Sequence, residues 1–264
     1  MIDKRFGVFG VGPHLVGIPA ELVQEMFVLT DVRRPPGVPP HQRGVARLRG
    51  SVLPAVDLRI CLGHVSADRE VADLVQMLRD REQDHRNWLA ELDASVRERR
   101  PFKLATDPHQ CKFGQWYDTY RTEDAVLRGE LSRFEQPHAE IHALAIEVEA
   151  LKASGDHAGA QRVVDGAREG QLAALVALFA RTRQAVVEQQ KEVGVLVRLA
   201  GRAAILVVDR AEAVAELEDI EEADDPLAGG ALRVDLVPRL ARWRGASQPV
   251  LVLDLERVAA LGAT

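Results

Sequence analysis

Three imidazoles and one thiol are the side chains in this sequence best suited to act together: His85, Cys111, His138 and His142. They sit in the segments DHRNW, DPHQCKFGQWY and PHAEIH. His138 and His142 are four residues apart, so on a helix both project from one face. His85 falls on the apolar stripe of a second predicted helix, with Trp88 three residues on to pack beside it. Cys111 follows Asp107-Pro108, which suits an N-cap and a first helical position. A sulfur near a helix N-terminus is expected to have a lowered pKa. Thiolate and neutral imidazole are both zinc ligands, and three His plus one Cys complete a tetrahedral set.

Each member has a plainer reading. An HxxxH pair is a weak motif by itself, and a single buried Cys is usually a small hydrophobe. Three polar groups on apolar stripes are harder to set aside, because each needs a partner. His109 is a competing ligand two residues from Cys111, expected in an exposed loop or first turn. Cys61, His14, His41, His64 and His157 have no companions in sequence and read as structural or surface residues. A catalytic metal fits less well. HAEIH carries its glutamate, Glu140, at the third position rather than the second, and four protein ligands leave no place for a substrate water. A closed site with a thiolate suits sensing, since oxidising the sulfur removes a ligand and a charge.

The elements that must position these residues divide the chain into three zones. Up to about residue 63 the signals are short apolar runs broken by Gly and Pro: FGVFGV, HLVGIP, MFVLTDV, and then two runs around an Arg-Gly turn in VARLRGSVLPAVDLR. From about 66 to 190 the periodicity is helical. Val71, Val75, Leu78, His85, Leu89, Leu92 and Val96 form one stripe, with Glu82 in a gap; Leu127, Leu131, Phe134, His138, Ile141, Ala145 and Val148 form a second. A third helix is predicted over 156–190. Beyond 193 the strand signals return, with VLVRLAG and AAILVVD around a Gly-Arg turn and PVLVLDLERV at the end; LVPRLARWRG is open between strand and short helix. The fold class is therefore α+β. Short strands with frequent turns suggest small closed barrels, and a helical bundle with adjacent termini can be inserted between them.

Composition sets outer bounds. In 264 residues the apolar fraction is 47%, enough for a core, and the net charge of −6 without a basic stripe argues against nucleic acid. The start MIDKRFGVFG lacks the apolar run of a signal peptide. The most apolar stretch, Val193 to Val208, is broken by Arg198 and Arg202, so no insertion into a membrane is expected. Two cysteines, Cys61 and Cys111, argue against a disulfide framework and favour the cytoplasm.

His85 with Trp88, the run Cys111-Lys112-Phe113-Gly114-Gln115-Trp116-Tyr117 and the run Pro137-His138-Ala139-Glu140-Ile141-His142 resemble the chemoreceptor zinc-binding (CZB) domain, whose core reads CxFGxW followed by HxxxH. The separations, 26 residues from His85 to Cys111 and 27 from Cys111 to His138, suit it. The resemblance covers roughly 66–155. It implies a helical bundle that binds one Zn2+ per chain through His85, Cys111, His138 and His142, used in bacterial regulation by zinc or oxidants. A homodimer through the bundle is an arrangement it admits.

Arg43 to Arg59, RGVARLRGSVLPAVDLR, resembles the first half of CheW, the chemotaxis coupling protein, and Val23-Gln24-Glu25 fits the same family. Ala203 to Val214 is similar to its second-half pattern, although Ala204 stands where the family often has Gly. The resemblance implies two small five-stranded SH3-like β-barrels, one from 1–65 and one from 191–264, joined in sequence by the insertion at 66–190. It also implies a non-enzymatic adaptor between the chemoreceptor cytoplasmic tip and the histidine kinase CheA, with Val23, Gln24, Glu25, Gly44 and Arg49 on the binding surface. Of these, Val23 also reads as core, Gly44 as a turn residue and Arg49 as a surface charge. The expected function is a chemotaxis adaptor with a zinc- or redox-responsive module. A scaffold with purely structural zinc, and below that a zinc-dependent hydrolase, are the alternatives.

Overall fold

The structure, a computed structural model, describes residues 5–199, 202–222 and 236–261. Its backbone contacts divide the chain into two compact units, one formed by 1–70 with 191–264 and the other by 71–190. The Gly-Arg turn expected at Gly201 lies outside the described residues.

In the first unit, alternating apolar runs become strands β1 (Arg5–Val11), β2 (His14–Pro19), β3 (Val23–Val28), β4 (Val32–Arg33), β5 (Gln42–Leu48) and β6 (Ser51–Asp57), followed by the short helix α1 (Leu58–Cys61). The predicted Arg-Gly turn joins β5 to β6, with Arg49 at φ 49° and Gly50 at φ 85°, the pair of positive values that a tight hairpin turn needs. Asp57 caps α1 by accepting from the Ile60 amide at 3.2 Å.

The second unit begins within α2 (Ala67–Arg97) and continues through α3 (Lys112–Thr119), α4 (Ala125–Ser132), α5 (Glu135–Ala153), α6 (His157–Ala167) and α7 (Ala173–Gln189). The first predicted helix is α2. The second is broken at Arg133-Phe134 into α4 and α5. The third carries a π-helical segment, Arg168–Leu172, between α6 and α7. Arg168 and Arg97 both donate to buried Asp93 of α2, as does Gln161 at 2.8 Å. This tie holds the π segment against α2, and no periodicity rule anticipates it. The stripe gap at Glu82 is explained by its bonds to Arg86 and to Arg183 of α7, at 2.8 and 2.7 Å. Phe113, Phe134 and Phe179 are each fully buried at the centre of the helical core.

The chain then returns to the first unit as β7 (Val193–Leu199), β8 (Arg202–Val208), β9 (Arg210–Glu216), β10 (Glu218–Glu222), β11 (Arg239–Arg242), β12 (Val250–Val252) and α8 (Leu255–Leu261). The ambiguous stretch LVPRLARWRG thus contains strand β11. Strand order corrects the expectation of two five-stranded barrels, one from each end. Among the described residues there are two six-stranded sheets, β10-β11-β12-β2-β1-β9 and β3-β7-β8-β6-β5-β4, and the pairings do not close either into a ring. Each sheet draws strands from both ends of the chain. The β1–β2 hairpin lies between β9 and β12, and the β7–β8 hairpin between β3 and β6. The inserted segment therefore leaves and re-enters one sheet, after β6 and before β7, instead of linking two barrels. A shared core, including Phe9, Val16 and Ile18 from one sheet and Val56, Val195 and Leu206 from the other, fills the space between them. Among the described residues no helix is long and apolar enough to cross a membrane.

Replacing Phe179 by Ala should remove about 3–5 kcal/mol from the unfolding free energy of the helical unit, measured as a denaturant midpoint followed by the near-ultraviolet signal of its aromatic core.

Candidate metal centre

Four side chains from three elements of the helical unit converge on one point. His85 comes from α2, His138 and His142 from adjacent turns of α5, and Cys111 from the residue that caps α3. Asp107-Pro108 opens a single 3-10 turn, Pro108–Gln110, rather than the helix itself; Asp107 accepts from the His109 amide at 2.9 Å. Cys111 then serves as N-cap of α3, its Sγ accepting the Gly114 N–H at 3.2 Å. Glycine is required at 114 because an added Cβ would collide with the Pro108 carbonyl oxygen. The tight packing of that turn on α3 thereby sets the position of the sulfur.

One ligand atom from each of His85, Cys111, His138 and His142 can be chosen so that all lie within 4.8 Å of one another. Cys111 Sγ is 3.2 Å from His138 Nε2. The imidazole centroids are 4.9 to 5.7 Å apart, each ring set edgewise to the others. All three imidazoles are buried and Cys111 is half-buried. Phe113 and Phe179 wall the cluster, with centroids 5.9 and 5.7 Å from that of His85.

The hydrogen bonds fix which nitrogen is available. His85 Nδ1 lies 2.7 Å from the Arg81 carbonyl, and His142 Nδ1 lies 3.1 Å from the Ala105 carbonyl. A carbonyl only accepts, so Nδ1 carries the proton in both neutral rings and Nε2 keeps a bare lone pair. Those two Nε2 atoms are buried without a hydrogen-bond partner. Trp88 Nε1 donates to the same Ala105 carbonyl at 2.8 Å, holding that segment in place. Backbone carbonyls that orient ligand imidazoles in this way are the usual outer support of a metal site.

Electrostatics point the same way. Burial, reinforced by neighbouring His85, lowers the pKa of His138 to about 3 and that of His142 to about 4; burial also lowers that of His85. All three rings are therefore neutral near pH 7, the form a metal needs. The thiol departs from the sequence expectation. Burial raises the Cys111 pKa despite the opposing Gly114 and Phe113 amides, so a metal must displace the proton on binding. The donor set fits zinc on these grounds: two orphaned imidazole nitrogens, a third facing the sulfur, and a soft sulfur ligand. Four such ligands would fill a tetrahedral sphere.

His109 stays outside the cluster, exposed, with Nδ1 2.9 Å from Asp118 Oδ2. Cys61 is buried in the core of the other unit. His14 and His64, read as solitary, lie against each other with centroids 5.0 Å apart. The site residues missed by sequence reasoning are Phe179, whose signal was its place four residues after Leu175, and the carbonyls of Arg81 and Ala105, which no side-chain pattern marks.

The five expected partner-binding residues fall in the first unit. Gln24 is exposed on β3, and Val23 and Glu25 are half-buried. Val23 packs against the shared core. Arg49, with 79% of its side chain exposed, donates to Glu25 at 3.1 Å. Val23, Gln24 and Glu25 line a groove of about 250 Å³ with Gly7, Phe9, Ala20, Met26 and Val214. Gly44 is neither in the groove nor in a turn. It follows a β-bulge in β5, at φ 142°, where a Cβ would collide with the Arg33 carbonyl oxygen.

The family described as the CheW-like domain matches residues 5–84, and the chemoreceptor zinc-binding domain matches 85–149, which contains all four clustered residues. No curated protein matches the chain. Among solved structures, the scaffolding protein TtCheW from Thermoanaerobacter tengcongensis aligns over 97% of this chain and 91% of its own, at 12% identity and a TM-score of 0.44.

The lowered imidazole pKa values give a pH signature without metal. Unfolded histidines titrate near pH 6.5, so between there and about pH 3 to 4 the unfolded chain binds more protons than the folded one. In chelator, the stability of the helical unit should fall as pH is lowered from 6.5 towards 4. The fall should be shallower in His138→Ala, as read from denaturant midpoints across pH.

Proposed function

From a chain that joins a CheW-like domain to a chemoreceptor zinc-binding domain, we propose an adaptor that couples chemoreceptor cytoplasmic tips to the histidine kinase CheA and carries a zinc-responsive module inside its coupling domain. The observation that carries this reading is the closed donor set of His85, Cys111, His138 and His142 within one structural unit, in a chain whose other unit is built from both of its ends. We take 1–65 and 191–264 as the coupling domain and 66–190 as the insertion. Residues 191–264 lie outside both family matches, and the pairing of their strands with β1, β2, β3 and β6 supports their inclusion.

The zinc ligands are His85, Cys111, His138 and His142, one ion per chain. When bound, the ion supplies a positive centre that repays the burial of the orphaned nitrogens and holds the thiolate. Oxidation of Cys111 to the sulfenic acid would remove a charged ligand and lower zinc affinity. Four protein ligands leave no coordination position for substrate, which favours an adaptor over a hydrolase. Partner contacts are made by Val23, Gln24, Glu25 and Arg49 around the groove. Gly44 contributes through backbone shape rather than direct contact. The setting is cytoplasmic, with a homodimer through the helical bundle as a further arrangement.

Two outcomes follow. Cys111→Ala and His142→Ala should lose most bound zinc by metal analysis while His109→Ala keeps it; an emptied site in His109→Ala with a full one in His85→Ala would replace the ligand set. Arg49→Glu reverses an exposed charge beside Glu25, and should weaken binding to kinase or receptor tip by about tenfold, or about 1.4 kcal/mol, with zinc content unchanged. Pull-downs with zinc-loaded, chelated and oxidant-treated protein distinguish a sensor from a structural site. A structural site loses the fold when emptied, and a sensor stays folded and changes partner affinity.

A further inference from the structure

Two arginines of the coupling unit hold the first turn of α2. Arg43, on β5, pairs with Asp68 of that turn and, at 2.8 Å, with Glu192, the residue just before β7. Arg59, on α1, pairs with Glu70 of the same turn and, at 2.7 Å, with Asp209. The contacts are unequal. Arg43, Arg59, Glu192 and Asp209 each keep under a fifth of the side chain exposed, whereas Asp68 and Glu70 are 53% and 61% exposed. The inner links to Glu192 and Asp209 are anchored further by backbone. The Leu29 amide donates to the Glu192 carbonyl at 2.8 Å, and the Gly12 amide donates to Asp209 Oδ2 at 2.6 Å. The outer links are open to water and salt, and therefore the ones that can break and re-form.

The backbone is built to aim Arg43. In the β5–β6 ladder Gln42 faces Val56 and Gly44 faces Ala55, so Arg43 is the extra residue of a bulge, a device that redirects a side chain. Gly44 permits it, at a φ and a distance from Arg33 that exclude a Cβ. Asp68 and Glu192 mark the two places where the chain leaves and rejoins the coupling unit. Both are anionic and Asp57 stands near, so without Arg43 like charges would meet there. Strand β5 runs from this point to the turn that carries Arg49, and α2 runs from it to the residue His85.

We propose that Arg43 and Arg59 are positioning residues forming a two-point clasp on the first turn of α2, and that this clasp relays the metal state of the helical unit to β5 and the Arg49 turn. The proposal rests on the adaptor reading above. Loss of zinc that loosens α2 acts on the half-exposed Asp68 and Glu70 links first, leaving Arg43 held by Glu192 alone and the bulged end of β5 less restrained. Hydrogen exchange of the full chain tests this, comparing zinc-loaded and chelated protein. In the natural sequence, amides of residues 42–50 should differ in exchange between the two forms by about fivefold or more. In Arg43→Met the difference should shrink below about twofold, with zinc content unchanged. Asp68→Ala, which removes the outer link and keeps Arg43 and Glu192, should do the same and serves if Arg43→Met does not fold. Equal exchange at 42–50 in the two forms of the natural sequence would overturn the relay, and so would a full difference persisting in the folded variant. Failure of the adaptor reading is separate: it appears as absence of kinase and receptor binding by the natural sequence, whatever the exchange pattern.

Discussion

Imidazole nitrogens shut away from water without a partner govern the helical unit. Each buried lone pair has lost its hydration, and a group in that position costs free energy until something binds it. His85 and His142 are turned so that their protonated nitrogens meet carbonyls and their bare nitrogens meet each other's neighbourhood. His138 faces the sulfur. Protonation would satisfy none of this, because three cations would then crowd one pocket. A cation with four ligand positions would resolve all the demands together, inside a wall to which Phe113 and Phe179 contribute.

The first unit obeys a different constraint. Since each sheet takes strands from both ends of the chain, neither end can complete a sheet alone. The intervening helical segment must be accommodated before the strands can pair. Loop-closure entropy grows only slowly with length, so a long insertion is tolerable where its ends are held together. Arg43, paired with a carboxylate at each end, supplies such a hold between β6 and β7. The bulge that carries Arg43 is followed by Gly44, where a Cβ would collide with the Arg33 carbonyl oxygen.

Much of the metal cluster was legible in sequence because helical periodicity is local: a histidine on an apolar stripe, a pair four residues apart, and a cysteine after a capping motif. The α2 stripe and the β5–β6 turn were legible for the same reason. What escaped was set by distant neighbours. Strand pairing between β2 and β12, or β3 and β7, joins residues far apart in the chain, Leu15 with Val250 and Val23 with Val197, and nothing in either run specifies its partner. The π segment depends on Arg168 reaching Asp93. The pKa of Cys111 depends on a balance: its capping position was readable, but its burial, which dominates, was not. Gly44 looked like a contact or turn residue because its bulge exists only in the ladder.

Zinc K-edge X-ray absorption of the purified, metal-loaded chain tests the central claim most directly. One zinc per chain, with three nitrogen scatterers at about 2.0–2.1 Å and one sulfur at about 2.3 Å, is the expected result. The sulfur contribution should vanish in Cys111→Ala. A first shell of oxygen and nitrogen without sulfur, or one containing an exchangeable water in place of a protein ligand, would contradict the closed three-histidine, one-cysteine site.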